Sequence, residues 1–278
     1  MRILTTLARP DAGSARVAGF DVVDDAAAVR RHIGVAAQDA TLDEELTGRQ
    51  NLVMIGQLSR LGRSQAKARA VELLEDFELA DAADRVMKDY SGGMRRRLDL
   101  AASVITRPPV LFLDEPTTGL DPAGRQRVWE MIRRLVADGV TLLLTTQYLE
   151  EADNLADAIV VIDHGRVIAR GTSAELKAAV GGARLEVTLT RSHYGAVEAL
   201  ASLVDGPVQV SHGGRKLAAP VRSGAGLATV VVRTLDAAGV SVDDVEVHPP
   251  SLDDVFFALT GQPPTNDGSD TTVETATG

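Results

Sequence analysis

Two adjacent acids, Asp114-Glu115, follow the wholly apolar run Val110 to Leu113 and are closed off by Pro116. A short apolar run between Pro108-Pro109 and Pro116 has the length of a strand buried on both faces, as in a parallel sheet. Ligands of parallel α/β sheets gather at the carboxyl ends of the strands. Two carboxylates there are poorly explained by packing. Alternation along a strand aims them in different directions, so they can take different jobs. One job is holding a magnesium ion, which prefers carboxylate and water oxygens beside substrate phosphates. The other is orienting or deprotonating an attacking water. The plainer alternative is a pair of surface acids capping the next turn.

The neighbours of the pair bear on that choice. Upstream, Ser91-Gly92-Gly93 opens a helical run with Leu98, Ala101, Ala102 and Ile105 among its apolar positions, stopped by Pro108-Pro109. Downstream comes Thr117-Thr118-Gly119-Leu120-Asp121-Pro122. In this order and spacing the stretch closely resembles the core of an ABC-type ATPase. The chain as a whole is most similar to the daunorubicin-resistance-type drug exporter branch.

The resemblance implies roles. Ser91-Gly92-Gly93 would be the signature loop, Asp114 and Glu115 the Walker B acids, and Gly119-Leu120-Asp121 the D-loop. Gln38 would be the Q-loop glutamine, a catalytic and metal-site residue reaching toward the membrane partner; by itself it reads as a turn residue after a strand. Gln147 stands where most of the family has a switch histidine. An amide can donate to a phosphate oxygen but does not titrate as histidine does. In the implied arrangement two such domains sandwich ATP and Mg²⁺ head to tail. Asp114 holds the ion, Glu115 polarises water, and Gln147 touches the γ-phosphate. The Ser91-Gly92-Gly93 loop faces the nucleotide of the opposite subunit, and Asp121 couples the two sites. The implied partners are a second ABC ATPase subunit and a separate transmembrane permease, which places the chain peripherally on the cytoplasmic face of the plasma membrane. The implied substrates are drugs or other hydrophobic small molecules.

The elements that must position these residues are legible in outline. Met1 to Ala8 looks like the second half of an amphipathic helix, and residues 14–22 like a hairpin turned at Gly19. Residues 33–37 form a short strand leading to Gln38. Two helical runs follow between Thr47 and Leu79, with Thr47 and Ser64 as N-cap candidates. Arg95-Arg96-Arg97 reads as a solvated helix face in preference to a phosphate contact. A helix is expected over about 123–137 and a further buried strand over 140–145, then a helix, two strands and a short helix from Thr172. Beyond Gly181-Gly182 the order is strand, helix, strand, strand, helix, strand, the ferredoxin-like split βαβ, with a last helix starting at Ser251. The expected fold class is therefore α/β, a P-loop NTPase-type ABC ATPase domain over 1–180 with a helical subdomain at about 47–106. A small α+β accessory domain spans 183–261, and 262–278 reads as a disordered tail.

Composition narrows the function classes. The 278 residues are 45% hydrophobic but only 3% aromatic, so the core is aliphatic. A formal net charge of −10 argues against an extended nucleic-acid surface. There are no cysteines, and the 5 histidines lack metal-ligand spacing. No apolar run reaches the length of a membrane span.

One element of the resemblance is missing. The phosphate-binding pattern G-x-x-x-x-G-K-[ST] occurs nowhere in the sequence: Lys67, Lys88, Lys177 and Lys216 are each without the required neighbours. The preceding strand and the adenine-stacking aromatic of the family are missing too. Three readings stay open: a start codon upstream of Met1, a truncated or degenerate subunit without its own ATPase activity, and a soluble non-transport ABC protein. The last class uses long coiled-coil insertions, zinc cysteines or a second cassette, none of which is present here.

Overall fold

The computed structural model describes residues 1–37, 42–180, 182–193, 195–211, 213–221 and 226–260. The chain divides into two compact units, Met1–Leu155 and Ala156–Gly278. The expected tail over 262–278 and Gly181 of the expected hinge lie outside the described residues.

In the first unit a two-residue hairpin, β1 (Arg16–Val17) and β2 (Phe20–Asp21), precedes α1 (Ala26–His32) and β3 (Ile33–Ala36). Then come α2 (Gly48–Leu58), α3 (Arg63–Asp76), α4 (Gly92–Ser103), β4 (Val110–Asp114), α5 (Pro122–Ala137), β5 (Thr141–Thr145) and α6 (Leu149–Leu155). The three strands β3-β4-β5 form a parallel sheet, with Val110 opposite Ile33 and Asp114 opposite Thr145.

Strand β4 is central, and its apolar run serves two cores. Leu111 and Leu113 face a cluster built with Leu52, Leu73, Leu98 and Ile132, while Phe112 packs with Val17, Val22 and Val29. All three are at most 2% exposed. Burial on both faces is why the run is apolar without alternation. Gly34 on β3 lets α4 and the following turn approach: a Cβ there would lie 2.1 Å from the Ser103 carbonyl oxygen and 2.9 Å from Pro108.

Several expectations change. Met1 to Ala8 forms turns in place of a helix, with Thr6 at φ 63°; so short a run does not repay helix nucleation. Thr47 does cap α2 in a capping box with Gln50, but α3 starts from Gly62, which puts Ser64 inside the helix. Strand β5 is not fully buried: it is the last of the three strands, and Leu143 is 38% exposed.

The second unit begins with the antiparallel pair β6 (Ile159–Asp163) and β7 (Arg166–Gly171), then α7 (Ser173–Val180). It continues with β8 (Ala183–Leu189), α8 (Gly195–Leu200), β9 (Gln209–Val210), β10 (Lys216–Val221), α9 (Leu227–Ala237), β11 (Val242–His248) and α10 (Leu252–Thr260). Its antiparallel sheet runs in the order β11-β8-β10-β9. Leu185, Val187 and Leu189 of β8 meet Ala196, Leu200, Val231 and Leu235 of the two helices in one core.

Candidate functional site

The acids of β4 emerge at the carboxyl end of the sheet, beside the end of β5. Thr145 Oγ1 donates to Asp114 Oδ1. The next residue leaves the strand: Glu115 has φ 47°, a left-handed conformation that a residue with a side chain adopts at a cost. It is held there from several directions. Its N–H donates to the Thr145 carbonyl at 2.9 Å, and its carboxylate Oε2 accepts from Thr118 Oγ1 at 3.0 Å. Asp114 and Glu115 are half-buried, and their side chains take separate partners, although Glu115 is turned by its left-handed backbone and not by strand alternation.

The expected solvated face of arginines is overturned. Arg95 pairs with Glu44 at 3.0 Å. Arg97 donates to the carbonyls of Phe77 and Glu78, and burial pulls its pKa down. Arg96, with 13% of its side chain exposed, crosses from α4 to the carbonyls of Asp114, Glu115 and Pro116, and to that of Ala37 after β3. Helix α4 is enclosed by its neighbours, so long basic side chains on it find backbone acceptors where water would otherwise serve. Beside Arg96, burial raises the carboxyl of Asp99 to about 6, against the opposing pull of the guanidinium.

Ser91 is the N-cap of α4, its Oγ accepting from the Met94 N–H at 3.3 Å. Gly92 and Gly93 have open space where a Cβ would stand, so nothing within the described residues demands glycine there. Free N–H groups and bare glycines at a helix start suit close approach by an anion. Asp121 caps α5, accepting from the Gly124 N–H at 3.0 Å, with Pro122 in the first turn. Gln147 is exposed, two residues past the end of β5, in a turn where Thr146 Oγ1 accepts from the Tyr148 N–H at 2.9 Å. Gln38 lies outside the described residues; the Ala37 carbonyl just before it is the one held by Arg96.

Glu151 is a residue that pattern reading overlooked. It is 0% exposed on α6. Its Oε1 accepts from Thr117 Oγ1 and from the indole N–H of Trp129, both at 2.9 Å, while Oε2 has no hydrogen-bond partner among the described residues. One turn earlier on α5, the Arg125 guanidinium lies 5.4 Å from the centre of the ring of Tyr148, the residue just before α6. Position 151 falls with Tyr148, Ala152 and Leu155 at helical spacing, a signal that it faces inward.

Among the described residues no group of three or more His, Cys, Asp or Glu is arranged to enclose a metal. Asp114 nonetheless has the chemistry magnesium takes: a half-buried carboxylate at a strand end, of the donor type that Mg²⁺ combines with waters and phosphate oxygens. No helix among the described residues is long and apolar enough to cross a membrane.

Comparison with known proteins gives consistent matches. A family model described as ABC transporter matches residues 1–118. The chain is 56% identical over 262 residues to the daunorubicin resistance ATP-binding protein DrrA3 of Streptomyces coeruleorubidus, covering 94% of this chain and 82% of the relative. It is 45% identical to the doxorubicin resistance ATP-binding protein DrrA of Mycobacterium tuberculosis, over 94% of this chain and 80% of that protein. Among solved structures, the ATP-binding subunit of an ABC transporter superposes with a TM-score of 0.56 at 27% identity, over 63% of this chain and 73% of that one.

Proposed function

Because the chain belongs to the ATP-binding proteins of ABC transporters, alongside the daunorubicin resistance proteins, we propose that it is the ATP-hydrolysing subunit of an export system for drugs or other hydrophobic small molecules. It works with a separate transmembrane permease and a second ATPase subunit at the cytoplasmic face of the membrane. The observation that carries this reading is the pair Asp114-Glu115 at the carboxyl end of the central parallel strand, braced by Thr145, Thr118 and Arg96.

In this reading water attacks the γ-phosphorus of ATP while the bond to the β–γ bridging oxygen breaks, releasing ADP and phosphate. Such a reaction asks for positioning and charge neutralisation more than covalent chemistry. Glu115 orients the water and accepts its proton. Asp114 would hold Mg²⁺, which when bound would offset charge on the phosphates. The exposed Gln147 amide donates to the γ-phosphate. Ser91-Gly92-Gly93 presents N–H groups to the nucleotide of the opposite subunit, where a helix N-terminus contributes about 0.3–1 kcal/mol. Asp121, at the start of α5, transmits between the two sites. The segment 183–261 is assigned as a ferredoxin-like accessory domain outside the chemistry, on the support of its strand order.

A second reading keeps the family and drops autonomous catalysis. The 278 residues hold no G-x-x-x-x-G-K-[ST], and in this reading hydrolysis at a site using the Ser91-Gly92-Gly93 loop depends on a partner ATPase with its own phosphate loop. One preparation addresses both readings: an affinity tag placed at the C-terminus of the native chromosomal copy, with the complex isolated from detergent-solubilised membranes. The reading predicts an integral membrane subunit in the complex and Mg²⁺-dependent ATP hydrolysis. A tagged chain that carries no membrane subunit and hydrolyses no ATP would refute it.

A further inference from the structure

We propose that Arg96 is a positioning residue: it holds Glu115 in its left-handed backbone conformation and ties it to the helix that carries Ser91-Gly92-Gly93. The functional part of this inference rests on the reading of Glu115 as the base that activates water.

Every N–H of the guanidinium is occupied. Nε donates to the Pro116 carbonyl at 2.7 Å; Nη2 donates to the carbonyls of Asp114 at 2.9 Å and Glu115 at 3.0 Å. Nη1 donates to the Ala37 carbonyl at 2.9 Å and to Asp99 Oδ2 at 3.3 Å. Five donors in a rigid planar fork meet four backbone carbonyls and one carboxylate. No donor remains for a phosphate, so a direct role in nucleotide binding is unsupported by this geometry.

The consequence lies in what the clamp joins. The carbonyls of three consecutive residues, 114 to 116, are fixed at the point where the chain turns out of β4. The Glu115 N–H is fixed to Thr145 on the other side. The peptide groups flanking Glu115 are thus both tied down, which is what a residue at φ 47° requires to stay there. Arg96 sits about one turn beyond the start of α4, in the helix capped by Ser91. A shift of that helix start would therefore be carried by one side chain to Glu115 and to the carbonyl that precedes Gln38. The loop facing the opposite subunit's nucleotide and the base acting on the chain's own nucleotide would move together.

Lysine keeps the charge beside Asp99 but offers one nitrogen, which cannot reach acceptors spread along three peptide groups and a second strand. In the native complex, Arg96→Lys is expected to lower kcat about 10–100-fold, the scale of a misplaced catalytic group. The KM for ATP should change by less than about threefold, since no phosphate contact is lost. Hydrogen exchange should speed up in peptides covering 33–37 and 111–120 while those covering β8 to β11 stay as in the wild type. Arg96→Gln, with a single donor group, should act in the same direction and more strongly. In the unsubstituted protein the Glu115 amide should exchange as slowly as those of β4, although it lies outside the strand; this needs no variant to fold.

Wild-type kcat in Arg96→Lys would overturn the proposal, as would a raised KM with unchanged kcat, or fast exchange at Glu115 in the wild type. If the unsubstituted complex hydrolyses no ATP, the ATPase reading falls, and the exchange data alone decide whether Arg96 holds the turn.

Discussion

Glu151 offers the sharpest test of how the loops of the first unit are held. Its Oε1 is the shared acceptor for Thr117, 0% exposed, and for Trp129, 1% exposed. Glu151→Ala leaves two buried donors without an acceptor, at about 1–3 kcal/mol each, so the unit should lose roughly 2–6 kcal/mol. For a unit of this size, at about 2–4 °C per kcal/mol, the melting temperature falls by roughly 4–24 °C. Glu151→Gln should behave differently. An amide oxygen still accepts both bonds, while the new NH₂ stands where Oε2 has no partner among the described residues and carries a desolvation cost of its own, about 1–3 kcal/mol. The glutamine variant should therefore fall less far than the alanine variant, by about 1–3 kcal/mol against roughly 2–6. The assay is urea unfolding followed by fluorescence, because Trp129 is the single tryptophan and reports on this contact. Alanine and glutamine variants that fall equally far, or an alanine variant within about 1 kcal/mol of the wild type, would refute the assignment.

Two further outcomes are expected. Burial raises Asp99 from 3.8 to about 6, so the fold binds this proton more tightly than the unfolded chain does. Its contribution to stability is greatest below pH 3.8, falls as the pH rises to about 6, and is level above that. Asp99→Asn should therefore gain on the wild type across this window by up to about 3 kcal/mol; a constant difference between their urea midpoints over the same range would contradict this. Gln147→Ala should slow ATP turnover without altering the shape of the pH–rate profile between about pH 6 and 8, because an amide does not titrate there; a moved apparent pKa would remove Gln147 from the phosphate.

What was legible in the sequence follows from where each signal is stored. The apolar run 110–113 announced a strand buried on both faces, and the structure pairs it on both sides. The acids after it could be placed at the sheet's carboxyl end because strand direction fixes where a following residue emerges. Arg96 was misread because its acceptors are backbone carbonyls, which are present at every residue and leave no pattern among side chains. Glu151 carries no motif that marks it in the sequence, because its partners Thr117 and Trp129 are 34 and 22 residues away. The exposure of β5 was hidden for a related reason. An apolar strand states that both faces seek cover and does not say where in the sheet it lies.

The central claim is that Glu115 activates water for ATP hydrolysis in an export complex. The most direct measurement is ATP turnover by the complex isolated through the C-terminal tag, comparing the wild type with Glu115→Gln. The account predicts Mg²⁺-dependent hydrolysis by the wild type. In Glu115→Gln it predicts a loss of about 10²–10⁴ in turnover with ATP binding retained, the range expected when a general base is removed. A Glu115→Gln complex that hydrolyses ATP at the wild-type rate would contradict it.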